Sequence, residues 1–136
     1  MRPTLDTNLL LRLVLRDIPG QYEAVRDLLI ASGARYRVTD MAIVEVVHAL
    51  AHHYGLSRQQ IVEIIRAIIL DPAIEASTNL LEAVTEQFLL QPALSFTDCY
   101  LAEEALVSGN LPLLTFDKKL AKQHDSAQLL PLHHHA

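Results

Sequence analysis

The chain has 136 residues, of which 51% are hydrophobic, which is ample for a single packed core. Its formal net charge of -5 argues against a protein that holds nucleic acid by a broad basic surface, because such binding needs many cations against phosphates. The single cysteine, Cys99, cannot form an internal disulfide, and the apolar runs are too short to span a bilayer. No secretory signal is recognisable. We expect a single cytoplasmic domain over residues 1–132, with no membrane contact.

The N-terminal half has the pattern of short strands followed by helices. The segment Thr4-Leu5-Asp6-Thr7-Asn8 ends a short apolar approach, and residues 9–15 then continue as a helix. A strand is predicted at residues 36–39. Helical spacing predicts further helices over residues 21–31, over residues 41–54, and from Ser57 to the Asp71-Pro72 break.

The C-terminal half repeats this alternation. Strands are predicted at residues 74–76, 111–115 and 127–130, and helices over residues 78–90, over residues 95–107 and from about Asp117. Helices that alternate with short apolar strands indicate an α/β protein with a parallel sheet covered by helices on both faces. The tail at residues 133–136 contains His133 to His135, which are either native or a cloning remnant, and it is left out of the chemistry.

Two aspartates follow predicted strands. Asp6 comes after the first strand, and Asp117 lies two residues after Thr115 at the end of the fourth. Because parallel strands present their carboxyl ends at one edge of a sheet, both acids are expected to open on the same crevice. The alternative for Asp6 is that it only caps the following helix. Three lysines after Asp117 either steady a phosphate backbone or form an ordinary solvated face: Lys118, Lys119 and Lys122.

Glu45 is a charged residue inside the apolar helical stretch at residues 43–47. A buried carboxylate without a partner is costly, so this position suggests an acid that is paired or bound to metal. The alternative is a narrow solvent-facing stripe, because Glu45, His48 and His52 fall on one side of the helix. Glu45-x-x-His48 also resembles half of a di-iron motif, but only one copy is present. We therefore expect His48 and His52 to be surface or supporting residues.

Asp98 follows Ser95-Phe96-Thr97 and begins a helix. The apolar residues that share its side predict that its carboxylate leans towards the packed side of the helix: Leu101, Ala102 and Ala105. The alternative is a first-turn acid that complements the helix dipole. Glu103 and Glu104 point elsewhere and are predicted to be ordinary solvated residues.

Four acids are thus candidates for one site: Asp6, Glu45, Asp98 and Asp117. Two ionised carboxylates about 4 Å apart repel by roughly 4 kcal/mol at an effective dielectric constant near 20, so a converged cluster must bind cations or take up protons. Oxygen ligands select hard ions such as Mg²⁺ or Mn²⁺ over Zn²⁺. Such ions activate water and hold a scissile phosphate in many nucleases. The pattern predicts phosphodiester hydrolysis without a covalent nucleophile.

The same motifs, in this order, resemble those of PIN domains: Leu5-Asp6-Thr7-Asn8, Glu45 inside an apolar helix, Thr97-Asp98-Cys99-Tyr100-Leu101-Ala102 and Leu114-Thr115-Phe116-Asp117. Within that family, the length and layout are similar to the VapC-type ribonuclease toxins of toxin-antitoxin pairs. The resemblance covers nearly the whole chain. It implies a three-layer α/β/α fold with a central, mostly parallel sheet of four to five short strands.

For the site, the resemblance implies a metal-dependent endoribonuclease that cleaves RNA. The catalytic and metal-binding residues would be Asp6, Glu45, Asp98 and Asp117, with Mg²⁺ or Mn²⁺ as the cofactor. Asn8 and Thr115 match family positions that support the site by hydrogen bonds.

For partners, the resemblance implies a homodimer and a cognate antitoxin protein that blocks the active site with an inserted segment, often carrying an arginine. Asp40 lies where relatives commonly carry Ser or Thr, so either Thr39 or Asp40 caps the helix that bears Glu45.

Two other interpretations remain open. The first is a PIN-fold protein-interaction module without nuclease activity. The second is a phospho-acceptor receiver domain, which resembles this pattern in its alternating strands and helices. Receivers carry an adjacent acidic pair after the first strand and an acceptor aspartate after the third. Here the first strand offers only Asp6, and the third leads into Ser77-Thr78-Asn79.

Overall fold

The computed structural model describes residues 2–31 and 33–134, and the chain divides into two compact units, residues 1–82 and 83–136. The described residues of the first unit form four helices and two strands: α1 (Thr7–Leu15), α2 (Pro19–Ile30), β1 (Tyr36–Arg37), α3 (Asp40–His52), α4 (Arg58–Ile69) and β2 (Ile74–Glu75). Helix α5 (Thr78–Leu90) crosses the boundary between the units. The second unit continues with α6 (Phe96–Ser108), β3 (Leu113–Thr115), α7 (Lys118–Gln123) and β4 (Ala127–Leu129).

The helices begin where side chains satisfy the first unpaired backbone N–H groups. Thr39 caps α3, because its hydroxyl oxygen accepts from the N–H of Ala42 at 3.1 Å, and this decides between Thr39 and Asp40. Ser57 and Gln60 form a capping box at α4. Helix α6 ends at Gly109, whose φ of 73° lies in the left-handed region that glycine adopts without strain. The predicted helices are confirmed, with ends within a few residues.

The strands of the first unit pair in parallel. Tyr36 lies opposite Ile74 and Arg37 opposite Glu75. The predicted first strand is reduced to one parallel bridge between Thr4 and Arg37, in which the N–H of Leu5 donates to the carbonyl of Arg37 at 2.9 Å. Since side chains alternate along a strand, one face of this small sheet is apolar and buried, and it carries Leu5, Tyr36, Val38 and Ile74.

The core of the first unit is built from one stripe of each helix. The most completely buried side chains are Leu10 of α1, Ile43, Val46 and Leu50 of α3, Ile61, Val62 and Ile65 of α4, and Leu81 of α5. Their spacing of three and four residues is the helical period that the sequence shows. Burial of this stripe leaves the opposite side of each helix to solvent.

The second unit has a parallel pair of its own, with Leu113 opposite Ala127 and Thr115 opposite Leu129. Phe88 and Phe96 meet edge to face with their ring centroids 5.4 Å apart, and Cys99 is buried as a free thiol. In the part of the chain that the structure describes, each unit thus holds one parallel pair, whose strands have two or three residues each. Helices mixed with short parallel strands confirm the predicted α/β class.

Over the described residues, every helix is too short or too polar to cross a lipid bilayer. In the tail, His133 and His134 lie in irregular backbone, and His135 and Ala136 fall outside the described residues.

Glu103 is buried, so the prediction that it is a solvated residue is wrong. Its Oε1 lies 3.0 Å from Nε2 of His124, which is also buried. The N–H of Ser126 donates to Nδ1 of the same ring at 3.1 Å, and the Ser126 hydroxyl donates to the carbonyl of Ala102 at 3.0 Å. Because Nδ1 is an acceptor, Nε2 carries the proton that is donated to Glu103. The network ties α6 to the segment between α7 and β4.

Replacing Glu103 with alanine should lower the free energy of unfolding by about 1 to 3 kcal/mol, because the Nε2–H of His124 would remain buried without an acceptor. Urea denaturation followed by circular dichroism measures this change. Glu104→Ala is the matched control, since Glu104 is the adjacent, half-buried glutamate of the same helix. Equal losses in the two variants would show that the network does not stabilise this unit.

Candidate active site

Asp6 begins helix α1 and lies at the surface. Its Oδ1 accepts from the N–H of Leu9 at 2.9 Å, and its backbone is extended, with φ -85° and ψ 169°. The capping role considered as the alternative for Asp6 is therefore confirmed. An ionised carboxylate has about four acceptor positions on its two oxygens, and this cap occupies one of them. The cap holds the carboxylate two residues after the Thr4 bridge. The other acceptor positions of the carboxylate remain for a ligand.

Glu45 is exposed, so the interpretation that placed it in an apolar interior is wrong. Helix α3 buries a different set of residues: Ala42, Ile43, Val46, Val47 and Leu50. Glu45, His48 and His52 occupy the other side, where the two imidazole rings are 4.4 Å apart between centroids. The solvent-facing stripe is confirmed. The neighbours of Glu45 are apolar, but Val44 is only half-buried and lies outside the packed stripe. Apolar neighbours in the sequence therefore did not show that Glu45 is buried.

A hydrogen bond between distant residues connects the segment at Asp6 with Glu45. The Thr7 hydroxyl donates to Oε2 of Glu45 at 2.6 Å, across 38 positions in the sequence. It joins the first residue of α1 to the middle of α3 and holds the glutamate beside the residue that follows Asp6. The sequence analysis did not identify Thr7 as a site residue. Asn8 is exposed, and its supporting role stays a prediction. One signal in the sequence could have identified Thr7. If Asp6 caps the helix, the Thr7 hydroxyl is available to another partner.

Asp98 of the second unit is half-buried in the first turn of α6. Its Oδ2 accepts from the N–H of Ser95 at 3.3 Å, while the Ser95 hydroxyl oxygen accepts from the N–H of Asp98 at 3.0 Å. This reciprocal capping box agrees with a first-turn acid that stabilises the helix. Ala102 on the same side is buried, but Leu101 is 47% exposed, so the predicted apolar face is wrong at that residue.

Asp117 caps helix α7 and is exposed. Its Oδ1 accepts from the N–H groups of Lys119 and Leu120 at 2.9 and 3.1 Å. The Thr115 hydroxyl oxygen accepts from the N–H of Asp117 at 3.0 Å, so Thr115 braces the turn that carries this acid. The three lysines after Asp117 are all exposed: Lys118, Lys119 and Lys122.

The structure thus links Asp6 and Glu45 through Thr7 in the first unit, and it places Asp98 and Asp117 at helix starts in the second. Within residues 2–31 and 33–134, no group of three or more His, Cys, Asp or Glu side chains is placed to hold a metal ion. The predicted ligands nevertheless fit a hard divalent cation in their chemistry, since all are carboxylates. Convergence of the four acids on one ion stays a prediction.

A comparison with protein-family models finds a match to the PIN domain over residues 4–125. A comparison with curated proteins finds no match. The matched region begins at the residue that forms the bridge to Arg37 and extends beyond Asp117, so it includes all four acids. PIN domains are in general a nuclease fold that uses divalent metal ions. The family model covers about nine-tenths of the chain, and the fold combines helices with short parallel strands. The chain therefore belongs to the PIN domain family.

Proposed function

We propose that this protein is a metal-dependent endoribonuclease, the toxin of a toxin-antitoxin pair, and that it hydrolyses RNA phosphodiester bonds with water activated by Mg²⁺ or Mn²⁺ in the cytoplasm. The observation that carries the proposal is the hydrogen bond from Thr7 to Glu45. It holds Glu45 at Thr7, the residue that follows Asp6, in a family whose members are generally metal-dependent nucleases.

The residues of the chain have defined tasks in this proposal. Asp6 and Glu45 would hold the cation, and Asp98 and Asp117 would complete its ligands. When bound, such an ion makes a water molecule more acidic and offsets negative charge on the phosphate. The cap on Asp6 and the Thr7 hydroxyl on Glu45 orient two carboxylates before substrate arrives, and each bond leaves one carboxylate oxygen as a further acceptor. Without the cation, the acids would repel the RNA backbone.

Removing the charge of a single acid should lower Mn²⁺-dependent RNA cleavage by about 100-fold or more, because a ligand of the cation is lost. The variants are Asp6→Asn, Glu45→Gln, Asp98→Asn and Asp117→Asn. Asparagine caps helices as well as aspartate does, so these substitutions separate charge from folding. Cleavage of a fluorogenic single-stranded RNA measures the effect.

The matched controls are Asp27→Asn on α2 and Glu63→Gln on α4, since both residues are exposed acids of the first unit. Unchanged cleavage in the four site variants would end the proposal. Absence of cleavage and of cation uptake by calorimetry, together with tight binding to a small protein, would instead favour the interaction module.

Replacing Thr7 with valine keeps the shape of the side chain but removes the donor to Glu45. We expect the Mn²⁺ concentration for half-maximal cleavage to rise about 10-fold or more, because second contacts to a ligand typically change metal affinity by about 10- to 100-fold. Thr7→Ser should restore the wild-type value. Thr4→Val is the matched control, because it makes the same change at an exposed threonine of the preceding segment. A Thr7→Val enzyme with wild-type metal dependence would show that this hydrogen bond does not organise the site.

The proposal includes a second copy of the chain and an antitoxin as partners. Large exposed apolar side chains could take part in such contacts, because a partner that covers them removes apolar area from water. In the second unit they include Leu106 at 50%, Val107 at 68% and Phe116 at 62% exposure.

Expression of the chain alone should arrest bacterial growth and reduce intact RNA, because an uninhibited toxin cleaves cellular RNA. Glu45→Gln should abolish both effects at equal protein levels. Co-expression of the small protein encoded beside this chain should restore growth and yield a co-purifying complex. Growth arrest that persists in the Glu45→Gln variant would exclude RNA cleavage as its cause.

A further inference from the structure

Three arginines lie on the exposed face of the small sheet in the first unit: Arg2, Arg35 and Arg37. Arg35 and Arg37 are two residues apart, and Arg37 pairs in register with Thr4 on one side and with Glu75 on the other. Side chains two residues apart point to the same face of a strand, so Arg2 shares the face of Thr4. The opposite face is the apolar one that packs on the core. Guanidinium groups from two neighbouring strands therefore project from one surface.

The three arginines line a single cavity of about 730 Å³. Its wall also carries three hydroxyl groups, from Thr39, Ser77 and Thr78. This volume is within the range of about 300 to 1,000 Å³ typical of ligand-binding pockets. The lining offers the guanidinium forks and the hydroxyl groups of Thr39 and Ser77, which are groups that bind phosphate oxygens. The Thr78 hydroxyl instead donates to the carbonyl of Ala76 at 3.3 Å.

Glu75 partly balances these charges. It forms ion pairs with Arg2 at 2.5 Å and with Arg35 at 3.8 Å. Arg35 also donates to the carbonyl of Ile74 at 3.3 Å, so two of the guanidinium groups are held in place. Arg37 makes no ion pair within residues 2–31 and 33–134 and is exposed. Its charge is available to a ligand.

The cavity is positive in a chain that is negative as a whole. Its three arginines face two carboxylates, those of Glu75 and Asp40. The chain has 11 lysines and arginines and a formal net charge of -5, so three of its few cations are gathered at this one surface. An anion that approaches the protein would be attracted here.

The arginine face leads towards the proposed catalytic acids. Thr4 lies beside Arg37, and Asp6 follows two residues later on the same extended segment. Two residues of strand span about 6.6 Å, at roughly 3.3 Å per residue. Arg2, Thr4 and Asp6 alternate with the buried Leu5, so the face that carries the arginines ends at the acid. A strand of nucleic acid could then contact the arginines with one phosphate while another reaches the acids.

We propose that Arg37, assisted by Arg2 and Arg35, binds the phosphate backbone of the RNA that this protein cleaves. The inference rests on the proposed function and adds a binding surface to it. Arginine suits this task because its planar fork can donate two hydrogen bonds to one phosphate. An acidic protein segment would be attracted by the same charges. The carboxylate of Asp6 at the end of the face favours RNA instead, because a cation bound there would also bind a phosphate.

The test measures binding of a fluorescein-labelled single-stranded RNA of mixed sequence by fluorescence polarisation. The full chain is used in the Glu45→Gln background, so that RNA stays intact. Arg37→Ala should weaken binding by about three- to tenfold and reduce the slope of log K against log salt by about 0.7, the value for one lost phosphate contact with a single strand. Arg37→Lys should keep that slope, because it retains the charge. Arg26→Ala is the matched control, since it removes an exposed arginine of α2.

Wild-type RNA affinity and salt slope in Arg37→Ala would overturn the inference. Equal losses in Arg37→Ala and Arg26→Ala would also overturn it, because they would reflect net charge alone. Arg37-dependent binding of a polyglutamate peptide, with RNA binding unchanged, would assign the surface to an acidic protein. Cleavage by the otherwise wild-type chain separates the two proposals: active enzyme with Arg37-independent binding contradicts only this inference, whereas absence of Mn²⁺-dependent cleavage contradicts the proposed function.

Discussion

The hydrogen bond from the N–H of Leu9 to the carboxylate of Asp6 sets the start of the first helix and the position of the first acid. A helix that follows a strand must satisfy its first N–H groups, and a short carboxylate at the turn does so. The same solution recurs at Asp117, and Asp98 contributes to a capping box. Three of the four predicted site residues therefore stabilise helix starts. Capping and catalysis do not compete, because a carboxylate has oxygens enough for both.

Glu45 joins this set by a different route. It caps nothing and is exposed, so the fold does not have to bury its charge. The Thr7 hydroxyl nevertheless holds it, and the two partners come from helices α1 and α3. Packing of the apolar stripes of these helices brings them within reach. The contact between Thr7 and Glu45 thus depends on the packed core of the first unit, while Asp6 and Glu45 remain exposed at its surface.

Charge is distributed unevenly over this surface. In the proposed function, the acids need a cation before a phosphate can approach, whereas the proposed arginine surface of the first unit would attract phosphate directly. Glu75 reduces the positive charge of that surface, because it forms ion pairs with Arg2 and Arg35 and holds their side chains in place. In the second unit, by contrast, Glu103 is a buried acid, and it forms a hydrogen bond with the imidazole of His124. Acidic residues and arginines therefore stabilise the fold at some positions and form the proposed binding and catalytic surfaces at others.

The sequence by itself predicted the helices to within a few residues of their ends, because helical periodicity and turn residues are local: α5 has the predicted bounds, and α4 begins after Ser57. It also singled out the four acids through their order along a PIN-like chain. Only the tertiary structure decided that Glu45 faces solvent, that Glu103 is buried, and that the Thr7 hydroxyl reaches Glu45. These outcomes depend on which side of a helix meets another element, and that choice is made by packing between residues far apart in the chain.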